Sequence, residues 1–436
     1  MIERRSNLIV AGAVAVLAAP YLIAGPNFHG DDWVFLRNAR FDGALYAAGG
    51  RQVGRPGAVA AYDLTFGVLG AHPLLIQFVQ VLLWLAVALA LCATLQRFVP
   101  AGPAFAVSMV WLVVPTHSAL EHWSSTVQVL VALLLLVLGI RSLAVATDEG
   151  AAGWPAAVML AAAVATYEIT VAAAAVALVA VPLVRARTVR WDILVRGAVA
   201  IAVPLAWRAT HRTVYAVPTG HLDATVALSS LLALGLTPVS TAGRIVTVVA
   251  LVGTLVAGLR LVRVTGSRSR DFERLTVAGL LIVIVGIAPL ARFATNLFGM
   301  DDRLTVVSGI GAAMIWVGIA GIAARNVNQW LVIATAVIAL TAVVVPLRIG
   351  RTRDYVDSGR AAVTDANRLA ERGRQQVVVD VPGPLAVSGR IAGLYDGWNA
   401  TAATQLVLGR EDVIVRVSIN GTPVGPRTAA EAIAAH

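Results

Sequence analysis

Long uninterrupted apolar stretches alternate with short polar punctuation along most of this chain. Apolar runs of roughly 17 to 25 residues bounded by charge match the thickness of a bilayer and predict helices. They fall near 8–25, 74–96, 102–118, 126–145, 152–167, 169–184, 194–210, 244–262, 275–291, 304–323 and 330–347, about eleven spans. The first run follows Met1-Ile2-Glu3-Arg4-Arg5 and lacks a small-x-small cleavage site, so it reads as an uncleaved first helix rather than a secretory signal. Segment 225–236 is apolar but short and ends in Gly235-Leu236-Thr237-Pro238, which suits a re-entrant or interfacial helix.

The pattern changes after Leu347. Tyr355, Val356, Val363, Ala366, Leu369 and Ala370 recur at helical spacing, with Gly373 placed to end that helix. Gln376–Val379 reads as a short buried strand, and Val413, Val415, Val417 and Ile419 alternate as a half-buried one before an Asn420-Gly421 turn. Between them, Asn399 to Leu408 reads as a helix stopped by Gly409. The expected fold is therefore an all-α polytopic membrane domain over 1–347, with a first outer loop at 26–73, followed by a small extracytoplasmic α/β module over 348–436.

Composition agrees: 58% of the 436 residues are hydrophobic and 13% charged, too little charge to cover a soluble globule of this size. The single cysteine, Cys92, lies inside an apolar run and excludes a disulfide framework or a cysteine metal site. The chain contains no lysine, so its formal charge of +10 rests on arginine. Arg4, Arg5, Arg97, Arg141, the 185–196 group, the 260–274 group and Arg325 all fall on one side of the helix count, the side that the positive-inside rule assigns to the cytoplasm. This basic balance thus reports topology rather than nucleic-acid binding. It places the N-terminus in the cytoplasm and the C-terminus outside, in a bacterial-type cell membrane.

The opposite face then collects polar residues that topology does not require: Asp31, Asp32, His117, Glu121, His122, Glu168, Asp301 and Asp302 among them. Chemistry on that face has no access to cytosolic nucleotides. Asp31 and Asp32, with His29 two residues upstream and Trp33 beside them, stand at the edge of the bilayer, where adjacent carboxylates are costly unless used. In the same loop Arg37, Arg40 and Arg55 alternate with Phe35, Phe41, Tyr46, Tyr62 and Phe66, the mixture expected of short amphipathic helices on a membrane surface. Carboxylate, guanidinium and an apolar groove together suit a lipid phosphate. A carboxylate can serve as general base toward a hydroxyl, and arginine can neutralise a departing phosphate. The plainer reading of each arginine is a contact with lipid headgroups or a pairing with Asp42 or Asp63.

Three motifs carry a family resemblance: Asp31-Asp32, Gly54-Arg55-Pro56, and Leu69-Gly70-Ala71-His72-Pro73 running into the second span. They resemble the C-type (GT-C) membrane glycosyltransferase superfamily, in particular its protein-O-mannosyltransferase-like and tetratricopeptide-linked branches. The likeness continues through Pro115–Trp123 and Tyr167-Glu168 over about 200 residues. It departs at Gln77, Gln80, Tyr167 and Gln128, where relatives carry other polar or basic residues. The resemblance implies transfer of a sugar from a polyprenyl-phosphate donor to an extracytoplasmic glycan, lipid or protein. It implies Asp31 or Asp32 as the base, with Asp31 favoured, and one displacement that inverts the anomeric carbon. Arg37, Arg40, Arg55 and Arg303 become candidates for the donor phosphate, and His29, His117, Glu121, His122 and Glu168 for the cavity wall. Either arginine or a divalent metal must stabilise the leaving phosphate. The rival class is a transporter or flippase for a lipid-linked saccharide. A transporter concentrates its polar residues at mid-membrane, whereas here they gather at outer helix ends.

Overall fold

The computed structural model describes residues 2–29, 31–48, 54–114, 119–186, 190–211, 232, 241–263, 270–288, 305–323, 349–350, 352–361, 363–368, 370–371, 376–381, 397–419 and 422–424. The described chain is predominantly helical and carries six helices long and apolar enough to cross a membrane: Ser6–Ala24, Pro73–Leu95, Ser124–Glu149, Glu168–Ala186, Trp191–Thr210 and Val306–Ala323. It is a multi-pass, helical membrane protein by the length and composition of these elements. Ala101–Val113, Trp154–Thr166 and Ile245–Leu261 are apolar but shorter. A helix of 13 residues such as Trp154–Thr166 extends only roughly 20 Å, less than a hydrocarbon core. It is kept short by Pro155 in its first turn and by the extended backbone of Tyr167, which interrupts the run before Glu168. The apolar segment at 225–236, apart from Leu232, and the eleventh run at 330–347 lie outside the described residues.

In chain order the helices are α1 (Ile2–Ala24), α2 (Asp32–Phe41), α3 (Pro56–Tyr62), α4 (Pro73–Leu95), α5 (Ala101–Val113), α6 (Val127–Glu149), α7 (Trp154–Thr166) and α8 (Val171–Ala186). They continue with α9 (Trp191–Thr210), α10 (Thr241–Arg263), α11 (Arg270–Ile287), α12 (Val306–Ala323), α13 (352–361) and α14 (Gly397–Leu408). Short connections make sequential neighbours antiparallel, and α4 to α9 bury Trp84, Trp111, Leu130, Leu133, Leu160 and Leu178 between them. Arg185 pairs with Asp148 and donates to the Arg97 carbonyl, while Arg190 and Arg196 donate to the carbonyls of Ala151 and Ala152. These contacts draw three connections, α4–α5, α6–α7 and α8–α9, together at one end of the bundle.

The other end carries α2 and α3. Phe35 stacks on Tyr62 at 3.9 Å between ring centroids, and Phe66 closes this cluster from a π-helical turn, Asp63–Gly67, that follows α3. Leu45, Tyr46, Leu64 and Val68 remain exposed on the same loop, an apolar outer surface in keeping with a position at the bilayer interface. Ala402 and Ala403 of α14 share the buried cluster of α2. After α13, strand β1 (Gln376–Val381) pairs in parallel with β2 (Ile414–Ile419), which pairs antiparallel with β3 (Thr422–Val424).

Candidate functional site

The two adjacent aspartates are placed in different environments by the start of α2. The carbonyl of Asp31 accepts from the N–H groups of Val34 and Phe35, so the helix begins there. Successive residues of a helix point about 100° apart, which separates the two carboxylates. Asp32 turns inward and is fully buried: Oδ1 accepts from the backbone N–H of Ser125 at 2.7 Å and Oδ2 from that of His29 at 3.0 Å. The Asp32 N–H donates to the His29 carbonyl in return, closing a turn just ahead of the helix. Burial pushes the Asp32 carboxyl up to about 8, against the pull of the two N–H donors, and the neighbouring Asp31 carboxylate adds to the rise. Asp31 is half-buried and is the member of the pair with access to solvent.

The Trp123–Thr126 turn, just before α6, is the anvil on which both loop helices rest. Asp32 holds the Ser125 N–H and the Tyr62 hydroxyl donates to the Ser125 carbonyl at 3.0 Å. From α4, Gln80 Nε2 lies 2.8 Å from the carbonyls of Leu120 and Trp123 and from Thr126 Oγ1. Trp123 Nε1 donates to the His29 carbonyl at 3.0 Å, and Tyr21, near the end of α1, donates its one hydroxyl proton to the His122 carbonyl. That bond obliges the Tyr21 oxygen to accept from His29 Nε2, 3.2 Å away, which assigns the Nε2–H tautomer. His29 is fully buried and held neutral, its pKa lowered to about 3 by burial. His122, 2% exposed, stacks on Tyr355 of α13 at 4.8 Å and meets Thr352 Oγ1 at 3.1 Å. His29 and His122 thus brace the loops from beneath. A Cβ on Gly359 would come to 2.5 Å from the Asn27 Cβ and 3.0 Å from the His29 ring, so α13 can lie this close only with glycine there.

At the other end of α3 stands a second polar group. Arg55 Nη2 meets Glu168 Oε1 at 2.5 Å, and Arg208 of α9 pairs with both oxygens of the same carboxylate, Nη2 to Oε1 at 2.9 Å and Nη1 to Oε2 at 2.8 Å. The Arg55 guanidinium also lies over the Tyr167 ring, 5.3 Å from its centroid. Two cations share one anion, and all three side chains are partly exposed. A Cβ on Gly57 would overlap Thr166 Oγ1 and come within 2.9 Å of the Thr166 Cα, so glycine lets α3 lie against the end of α7. Seven residues of α3 separate the Tyr62 end, tied through Ser125 to Asp32, from Arg55, a distance of roughly 10 Å along the axis.

The remaining residues divide clearly. Arg37 is fully buried and its donors go to Gln405, Asn38, Asp42 and Glu411, at 3.0, 3.3, 2.7 and 2.8 Å, which ties α2 to α14. Two carboxylates already balance its charge, and this geometry gives it a structural part instead of one on a phosphate. Arg40 is exposed on α2. His117, Asp301, Asp302 and Arg303 lie outside the described residues, and of Glu121 only the backbone, in the turn Ala119–His122, is described. Among the described residues no three His, Cys, Asp or Glu side chains are grouped to hold a metal ion. The sequence reading passed over Tyr21, Ser125 and Arg208, and it gave Gln80 and Tyr355 no part in the site. Gln80 had a signal, an amide inside an apolar run, which demands a polar partner. No protein-family model and no curated protein matches the chain.

Proposed function

We propose that this protein is an inverting membrane glycosyltransferase that moves a sugar from a polyprenyl-phosphate carrier to an extracytoplasmic acceptor, a member of the GT-C superfamily. The observation that supports this reading is the division of the aspartate pair: the Asp32 carboxylate is buried and accepts from two backbone N–H groups that pin α2, while Asp31 beside it is half-buried. Asp31 is the base. Its carboxylate takes the acceptor hydroxyl proton as the oxygen attacks the anomeric carbon; the bond from that carbon to the phosphate oxygen breaks, and the polyprenyl phosphate leaves with the electron pair. The gathering of two guanidiniums, Arg55 and Arg208, on one carboxylate supports a role in receiving that phosphate, with Glu168 holding them in register. A divalent metal remains an alternative counter-charge, with ligands to be sought by metal titration of the purified protein.

The same proposal takes the transmembrane domain as 1–347 with about eleven spans. It puts the arginine-rich end in the cytoplasm, the aspartate end outside a bacterial-type cell membrane, and 348–436 as an outer α/β module packed over the first loop. The test is transfer from synthetic polyprenyl-phosphate sugars to extracted envelope acceptors by purified protein. Asp31→Asn is expected to abolish transfer in a protein that still folds, seen as a cooperative melting transition; wild-type turnover in that variant rejects the assignment.

A further inference from the structure

Apart from the aspartate pair and the Arg55–Glu168–Arg208 cluster, the structure forms a groove of about 570 Å3 between the C-terminal half of α1 and the helix α13. Its floor is Val16, Leu17, Pro20 and Ala24 of α1, and its rim is Thr352, Arg353, Asp357 and Arg360 of α13. Residues 353, 357 and 360 recur at i, i+4 and i+7 and so share one helix face. From Val16 to Ala24 the floor descends eight residues, roughly 12 Å. That depth is close to half of the ~30 Å hydrocarbon core, the length of one leaflet. Val16 is 72% exposed, so the floor opens sideways to lipid. At the upper end Arg360 Nη2 lies 3.3 Å from the Ala24 carbonyl, which sets the rim at the last residue of the spanning helix, the level of headgroups.

We propose that this groove is a binding site for one phospholipid of the leaflet adjoining the end of α1, with a singly charged phosphodiester headgroup. One acyl chain lies on Val16, Leu17 and Pro20, and the phosphate sits between Arg353 and Arg360. Charge selects the class. The rim residues Arg353, Asp357 and Arg360 sum to one net positive charge, which matches a diester such as phosphatidylglycerol. A monoester such as a polyprenyl phosphate carries more negative charge and meets Asp357 between the two arginines. The occupant holds α13 against α1. Because Thr352 and Tyr355 of α13 touch His122, it also braces the loop beneath Asp32. The site is independent of the transfer reaction and stands or falls without it.

The test uses the full-length protein, delipidated in detergent and titrated with phosphatidylglycerol, phosphatidylcholine, a polyprenyl monophosphate or inorganic phosphate, with retention read by native mass spectrometry. One phosphatidylglycerol is expected to be retained in preference to phosphatidylcholine. The double variant R353Q/R360Q is expected to lose roughly thirtyfold in that retention, at about 1 kcal/mol for each of two interfacial arginines. R353K/R360K is expected to restore most of it. Val16→Trp, at an exposed position, is expected to lower retention by filling the floor and gives a second reading if the charge variants fold poorly. Equal retention of the two phospholipids, unchanged retention in both the double variant and V16W, or displacement of phosphatidylglycerol by equimolar polyprenyl monophosphate or inorganic phosphate overturns the assignment.

Discussion

Asp31 and Asp32 are chemically identical and adjacent, yet a rotation of about 100° around α2 gives them opposite work. Replacing Asp32 by Asn puts an amide donor where one of the Ser125 and His29 N–H groups needs an acceptor. The expected cost is about 1–3 kcal/mol, measured as a lower melting temperature in detergent, for a change of one atom. Asp31→Asn leaves both Asp32 acceptors in place, so it should lower that temperature less than Asp32→Asn does. The pH dependence has a defined sign. An unfolded chain ionises Asp32 near pH 4, whereas the folded protein keeps its proton up to about 8. Between those values the folded state binds more protons, so stability falls as pH rises through this window and levels off above it. Melting temperatures from pH 4 to 9 should show the fall in the wild-type protein, and the difference from Asp32→Asn should narrow as pH rises.

At the level of elements, α3 is a short strut between two anchors, Ser125 through Tyr62 and Glu168 through Arg55. Gly57→Ala drives a methyl group into Thr166 and should cost about 1–3 kcal/mol by forcing the strut off α7. Arg208 supplies the second guanidinium of the cluster while Arg55 keeps its ion pair with Glu168, so Arg208→Gln removes charge without dislodging α3. In steady-state kinetics it should raise the KM for the polyprenyl-phosphate donor roughly tenfold, the equivalent of one charge-assisted hydrogen bond, with a smaller change in kcat. An unchanged KM would assign the arginine to packing alone.

For the whole molecule, the separation of Arg97, Arg185, Arg190 and Arg196 at one bundle end from Asp31, Asp32 and Glu168 at the other makes orientation measurable. Cys92 is buried at 1% exposure, so introduced thiols report alone. An impermeant maleimide added to intact cells should label Glu371→Cys and spare Glu149→Cys until the membrane is opened; the reverse pattern would put the aspartates in the cytosol and end the glycosyltransferase reading. Both positions are exposed, so neither substitution disturbs packing.

Hydrophobic run length by itself determined that this is a helical membrane protein, because burying twenty backbone amides in lipid leaves helix as the available solution for these apolar segments. It also located the first loop and its aspartates, since charge beside a span is legible without coordinates. The helices α5 and α7 are shorter than the apolar runs at 102–118 and 152–167, because apolar residues continue past the point where Val114 and Tyr167 leave the helix. Tertiary structure alone decided the roles. Nothing in the order Asp31-Asp32 says which carboxylate meets Ser125, 93 positions away. Nor does sequence spacing tell that Arg37 is consumed by Gln405 and Glu411 while Arg208 joins Arg55 on Glu168. Ion pairs and hydrogen bonds act over about 3 Å, and only folding brings such distant residues within that distance.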